Sequence, residues 1–455
     1  MTQAIETQPP VSEQPRPDLT GRDRMAWNIL VSWGGQMVFL AAGFVLPRVI
    51  DARIGRAALG VWDFGWSLLA YFGLLQAGVT ASVNRYVGKF RVIGDHAAVN
   101  CAVSSVLCIH LAVAVVVVLL GFVVGLGIPV WMEGRLGGYA SQAGPLVQLL
   151  AASLAVQMAT GSFGGLTTGC HRWDLHNAIL AGGHAMVVAG MIAVLFSGGG
   201  LVAMAAVNLA GEILKAVARV IVAYRVFPAL QLGLRHVKLR AMRNMLTFGG
   251  KTLIPRVSEI LTNQMTATLL ALYLGPAALA LYMRPMGLVR HARTFMTKFS
   301  MVLVPSTSAL QAQGQNDRLR DLLIKGTRYG LLMALPVTIG IVVLGGQLLR
   351  VWMGPEYSTA LLAAMLALGH LAFISHIPAM DMIAGMKAHG RPALVNLDAG
   401  IMTPLLVLLA LGVLKTGLVG AAVSATVPMT IVYGLYIPTY ACRTFDTSID
   451  GYLRG

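Results

Sequence analysis

Twelve apolar runs, most of them long enough to cross a bilayer, follow one another along this chain with only short polar connections between them. They fall near 27–47, 59–82, 99–126, 145–168, 178–197, 200–224, 248–273, 280–310, 327–349, 360–384, 392–413 and 416–440. About 20 apolar residues in a helix span the hydrocarbon of a bilayer. Backbone in lipid must satisfy its own polar groups, which a helix does within one segment. The pattern predicts an all-α polytopic membrane protein of about 12 transmembrane helices. Composition closes the soluble alternatives. Asp, Glu, Lys and Arg make up 11% of 455 residues, against about 25% in a soluble domain, and the mean hydropathy is +0.73. A soluble enzyme with a single anchor is excluded.

Lys and Arg number 34 against 18 Asp and Glu, a formal charge of +16. Nucleic-acid binding needs such cations on a solvated face. Here most of them must occupy short loops or the bilayer, so no nucleic-acid partner is expected. With the amino terminus in the cytoplasm, about 20 of the cations fall in cytoplasmic segments and about 6 in external ones, the asymmetry of the positive-inside rule. Both termini are therefore expected on the cytoplasmic side. The densest cluster, Arg225, Arg235, Lys238, Arg240 and Arg243, separates the sixth run from the seventh. It divides the chain into a tail at 1–26, a six-helix lobe at 27–226, an inter-lobe loop at 227–247, a second six-helix lobe at 248–440 and a tail at 441–455. The tail at 1–26 carries Pro9, Pro10, Pro15 and Pro17 and lacks an apolar core. It reads as disordered and cytoplasmic rather than as a signal peptide. Cys101, Cys108, Cys170 and Cys442 show no metal-ligand spacing and read as small buried hydrophobes, so no metal is expected.

The two halves look related. After the first span of each comes a similar run, Ile54-Gly55-Arg56-Ala57-Ala58-Leu59-Gly60-Val61-Trp62 in one and Leu274-Gly275-Pro276-Ala277-Ala278-Leu279-Ala280-Leu281-Tyr282 in the other. A second pair lies between the fourth and fifth spans of each half: Gly169 to Asp174 with Asn177, and Gly385 to Arg391 with Asn396. Six spans per half is an even number, so both halves enter the membrane in the same sense. They are then related by a pseudo-two-fold axis along the membrane normal, with a cleft between the lobes.

The stretches 54–88, 169–177, 274–285, 302–310 and 385–396, taken in their order and spacing, resemble bacterial polysaccharide-biosynthesis flippases. These are the Wzx-like group of the multidrug, oligosaccharidyl-lipid and polysaccharide (MOP) exporter superfamily, which also includes the MATE transporters. The resemblance covers about residues 25–440. It implies two six-helix lobes around a cavity lined mainly by the first, second, seventh and eighth helices. It also implies alternating access that carries a polyprenyl-diphosphate-linked glycan from the inner to the outer leaflet of a bacterial cytoplasmic membrane. Membrane lipids and other polysaccharide-assembly proteins are the further partners that it suggests. Twelve spans rather than the fourteen of lipid II flippases point away from peptidoglycan precursor as the cargo.

The residues lead to the same cavity independently. A charge in hydrocarbon costs about 2.5–3.5 kcal/mol on insertion scales, so ionisable residues inside spans face a wet or protein-lined interior. The eighth span carries Arg284, Arg290, His291, Arg293 and Lys298. Arg284 and Lys298 are placed either to snorkel to the two interfaces or to line the cavity, with His291 on their face. Arg290 and Arg293 lie too deep to snorkel and are expected to line it. A guanidinium fork matches the oxygens of a diphosphate. In the seventh span Thr252, Arg256, Glu259, Asn263 and Thr266 share one face, with Gln264 adjacent. Arg256 and Glu259 suit a structural ion pair, and Glu259 also suits a proton- or sodium-coupled switch. Asn28, Ser32 and Gln36 form a stripe on the first span, open between joining helices and bonding glycan. In the second span Asp63 is placed as a solvated end charge, a partner of Arg56 or a switch group, and Gln76 as a lining residue. Asn208, Glu212, Lys215 and Arg219 in the sixth span read as a self-neutralising cluster that snorkels toward the cytoplasm.

These features favour a transporter of an anionic lipid-linked oligosaccharide for O-antigen, capsule or exopolysaccharide assembly. No phosphate-binding Gly-rich loop is present; no cofactor is expected, and either an ion gradient, of Na+ or H+, or removal of product outside would supply the energy. A multidrug exporter of the same superfamily is the first alternative, although its site should concentrate carboxylates. A membrane glycan polymerase or ligase is the second, although the longest external connection, about 127–144, offers only Glu133 and Arg135.

Overall fold

The computed structural model describes residues 25–76, 79–132, 134–250 and 253–454. The expected tail at 1–26 lies almost wholly outside the described residues. So do Thr252 and Glu133, and the Gln76 side chain is likewise outside them.

Among the described residues twelve long helices follow one another: α1 (Met25–Ile54), α2 (Arg56–Leu75), α3 (His96–Trp131), α4 (Ala140–Gly169), α5 (Trp173–Phe196), α6 (Leu201–Val226), α7 (253–274), α8 (Pro276–Ser300), α9 (Asn316–Met353), α10 (Ala360–Gly385), α11 (Gly390–Val413) and α12 (Gly417–Thr444). Ten of them are long and apolar enough to qualify as membrane spans on composition alone. The other two are α7 and α8. They are the more polar pair, with Arg256 and Glu259 in one and four cations in the other.

Backbone conformation records the duplication. Gly55, Gly94 and Gly134 adopt positive φ, and so do Gly275, Gly314 and Gly354, each 220 residues further on. Positive φ at a residue with a Cβ is rare, yet His171 (φ 57°) and Lys387 (φ 58°) share it at a separation of 216 residues. Gly198 and Lys415 do so at 217. The break in α4 at Thr160 and that in α10 at His376 both have φ −97° and ψ 5°. The fold is thus two six-helix lobes of one design. By these offsets Asn177 and Asn396 stand about one turn apart rather than at equivalent positions.

Within each lobe small residues bring helices close. A Cβ on Gly121 of α3 would come within 2.2 Å of the Ala151 Cβ on α4, and one on Gly346 of α9 within 2.7 Å of the Ala360 Cβ on α10. Backbone approach of this kind drives helix association where no hydrophobic effect operates.

Among the described residues the lobes share a core at one end. A single apolar core there includes Ile50, Leu59 and Val61 from the first lobe and Leu279, Ala280, Leu349 and Met353 from the second. Toward the opposite end each lobe has its own core, built around Val87, Val99 and Phe227 in one and Leu323, Ile383 and Tyr433 in the other. Polar contacts reinforce the closed end. Trp352 Nε1 donates to the Phe44 carbonyl (2.7 Å), Tyr357 Oη donates to Asp51 (2.6 Å), Arg48 donates to the Met353 carbonyl, and Arg56 pairs with Glu356. α2 and α8 are repeat partners and cross each other there, Gly60 lying directly against Pro276.

Asp63 of α2 is ion-paired with Arg284 of α8; the Arg284 side chain is buried and that of Asp63 nearly so. Removing one partner of a buried pair strands the other charge and costs about 3–5 kcal/mol, whereas replacing both by apolar groups is often neutral. Asp63→Ala should therefore lower the melting temperature of the purified protein clearly, and Asp63→Ala with Arg284→Leu should recover most of the loss. Equal destabilisation by the single and double variants would show that the pair does not couple the lobes.

Candidate functional site

Below the closed end, the second lobe contains a hollow with two adjoining chambers of about 350 and 180 Å³. Glu259, Thr262, Asn263, Arg293 and His370 line both. α7 contributes through Arg256, Glu259 and a π-helical turn at Leu261–Met265 that holds Asn263 and Gln264. Such turns recur at functional sites because they re-aim side chains within a helix. Asn263 Nδ2 donates to the Glu259 carbonyl (3.0 Å), one of the carbonyls that the widened turn reaches from the side.

The charges are arranged around one carboxylate. Arg256 Nη1 lies 2.7 Å from Glu259 Oε2 and Arg293 Nη2 lies 3.5 Å from Glu259 Oε1. All three side chains keep a third to a half of their surface accessible. The Arg293 guanidinium also sits 4.7 Å above the Phe373 ring, a cation–π contact that fixes its plane. Arg290, one turn nearer the closed end, is accessible in the second chamber and within electrostatic reach of Asp63, Arg284, Arg293 and Glu259. Three guanidiniums against one carboxylate give the hollow an excess of two positive charges, its histidines left out of the count. That charge balance suits an anion with several oxygens better than a cation.

A sequence model of the family described as "Polysaccharide biosynthesis protein" matches residues 142–362. The uncharacterized membrane protein EpsK of Bacillus subtilis (strain 168) is 21% identical over 249 residues, which cover 54% of this chain and 49% of EpsK. The match thus spans about half the length of that curated relative. Among solved structures, an inward-facing multidrug resistance MATE family transporter of the MOP superfamily superposes with a TM-score of 0.72 at 13% identity, over 92% of this chain and 99% of that one. The lipid II flippase MurJ in an inward closed conformation gives 0.71 at 12% identity, over 94% and 89%. The family model thus takes in just under half of the chain, and the fold is shared with these transporters over nearly all of it. Its fold is the MOP fold, with two pseudo-symmetric lobes.

Of the residues that the sequence singled out, Arg256, Glu259, Asn263, Gln264, Arg290 and Arg293 come together in the hollow. Arg284 and Asp63 instead bind each other between the lobes. Neither snorkels, and Asp63 is paired with Arg284 rather than with Arg56, whose partner is Glu356. His291 stacks on Phe44 of α1, with centroids 5.5 Å apart, and Lys298 is exposed near the far end of α8. The stripe on α1 joins helices. Asn28 donates to the His171 carbonyl (3.3 Å) and accepts from the Asp174 amide (2.9 Å), while Ser32 accepts from Asn177 Nδ2 (2.7 Å). Gln36 is half-buried two turns beyond Asn28 on the same helix.

Four residues that the sequence did not single out for the site, His370, Phe373, Asn396 and Tyr433, complete the hollow. They are spread over α10, α11 and α12, and no one-helix pattern joins them. The charges on α6 neutralise one another as expected but do not snorkel. Glu212, Lys215 and Arg219 are buried in the first lobe, with Lys215 and Arg219 both turned to Glu212 and Arg219 donating to Thr160 Oγ1 (3.1 Å). Partners within the lobe, not the interface, satisfy them.

Proposed function

We propose that this protein is a flippase that carries an anionic polyprenyl-diphosphate-linked oligosaccharide from the cytoplasmic to the outer leaflet of the bacterial inner membrane, for surface polysaccharide assembly. The observation that carries this reading is the +2 hollow between α7, α8 and α10 to α12, which is accessible and has guanidinium forks suited to a diphosphate. A site for organic cations would need the opposite charge balance. Positive-inside placement of the termini puts the closed end outside and the separated ends of the lobes toward the cytoplasm, where the substrate is made. In keeping with this, the inward-facing MATE structure superposes better (TM-score 0.72) than an outward-facing MATE structure does (0.61).

In the proposed cycle the diphosphate enters from the cytoplasmic side and is held by Arg290 and Arg293. Arg256 and Glu259 shield the pair in the empty state. The lobes then close on the cytoplasmic side, Asp63 and Arg284 separate, and the cargo leaves outward. Glu259 and Asp63 are the groups placed to exchange a coupling H+ or Na+ as the lobes rock, since each changes its cationic neighbours between the two states.

Depletion of the protein in its own host tests the reading. A diphosphate-linked oligosaccharide should build up in the cytoplasmic leaflet while efflux of cationic dyes stays normal. Loss of dye efflux with no lipid-linked intermediate would replace the flippase with an exporter.

A further inference from the structure

The first lobe has a hollow of about 380 Å³ between α1, α2, α4, α5 and α6, the repeat counterparts of the helices around the cationic one. The offsets of 220, 216 and 217 residues pair the two linings almost position by position. Phe39 stands where the second lobe has Glu259, Trp62 for Tyr282, Trp66 for Met286, Gln157 for Phe373 and Asn208 for Ala425. One scaffold thus presents two chemistries. The second lobe offers guanidiniums in excess of its one carboxylate, and the first offers aromatic rings and amides.

The details fit an uncharged polyhydroxyl ligand. Trp66 is 45% exposed and held edge-on to the buried Trp62 ring, with centroids 6.1 Å apart. Phe39 stacks on His184 with centroids 4.5 Å apart. The side-chain amides of Gln157 and Asn208 have no hydrogen-bond partner among the described residues. The charges of Glu212 and Lys215 are already paired with each other. A sugar ring has apolar C–H faces that pack on aromatic rings and hydroxyls that pair with amides. Gly43, in the wall of this hollow, faces His291 of α8, so the two sites flank one seam.

We infer that this hollow is the saccharide subsite, receiving the first sugar residues of the cargo while the guanidiniums of the other lobe hold its diphosphate. The inference rests on the flippase reading and adds a division of labour between the lobes.

Binding by the purified full-length protein in nanodiscs tests it with two probes: undecaprenyl diphosphate alone, and the lipid-linked oligosaccharide extracted from depleted host cells. Wild type should prefer the glycosylated probe. Trp66→Ala should weaken that probe about tenfold, equivalent to about 1.4 kcal/mol, and leave the bare lipid unchanged, while Trp66→Phe keeps most of the preference. Equal weakening of both probes by Trp66→Ala, or no change in either, would overturn the saccharide subsite. Arg293→Ala reports separately on the parent reading, because it should weaken both probes alike; unaltered binding of bare undecaprenyl diphosphate by that variant would count against the diphosphate site alone.

Discussion

Replacing Arg290 and Arg293 together by alanine is expected to lower transport by a factor of about 10² to 10⁴ while the protein remains folded in the membrane. Hydrogen bonds to charged groups contribute about 1.5–3 kcal/mol each, and two guanidiniums withdrawn from one diphosphate remove about 3–6 kcal/mol, with each 1.4 kcal/mol a factor of ten. Folding should survive because both side chains are accessible in the hollow, so truncation strands no buried counter-charge beyond Glu259, which keeps Arg256 at 2.7 Å. Lysine at both positions should restore only part of the activity, since an ammonium keeps the charge and loses the planar fork. The measurement is surface polysaccharide per molecule of membrane-inserted protein, backed by flux of a lipid-linked probe in proteoliposomes. Near-normal glycan in the double alanine variant would remove these residues from the translocation path.

The span pattern was readable because lipid imposes a one-dimensional rule: apolar length and a boundary suffice. All twelve expected runs overlap observed helices, including α7 and α8, the more polar pair. The duplication was likewise visible, because the turns that start α2 and α8 need glycine at φ +88° and +85°, which few other residues tolerate. Charge at mid-span was a reliable pointer to the hollow for Arg290, Arg293, Arg256 and Glu259, because a desolvated ion has to find company.

What the sequence could not convey was which company. Arg284 lies six residues from Arg290 on one helix, yet its partner is Asp63 of the other lobe, 221 positions away. Asn28 and Ser32 form as regular a polar stripe as the one on α7, but theirs faces α5 and the turn before it. The difference is set by which helix packs alongside, a property of the assembled lobe. For the same reason His370 and Tyr433, lone polar residues in apolar spans, gave no periodic signal.

Alanine at Gly60 is expected to abolish flipping by preventing closure of the outer end. A Cβ there would lie 1.7 Å from the Pro276 carbonyl oxygen and 2.3 Å from its carbon. Those are backbone atoms at the start of α8, so no side chain can swing aside. In an ordinary helix the same change stabilises by about 0.5–1 kcal/mol, so a loss of function cannot be assigned to helix propensity. To relieve the overlap α2 and α8 have to part by more than an ångström, which pulls apart the Asp63–Arg284 and Arg56–Glu356 pairs that flank the crossing. The outer seal then fails while each lobe keeps its own core. Two measurements check this. In a Gly60→Ala background, a short bifunctional thiol reagent should no longer join Arg56→Cys to Glu356→Cys, although it joins them in the otherwise unaltered protein. Surface glycan should fall to the level of a deletion, whereas Gly73→Ala, whose Cβ would meet nothing within 4 Å, leaves it intact. Full export by Gly60→Ala would mean that the α2–α8 crossing is not the outer gate and that the lobes seal elsewhere during the cycle.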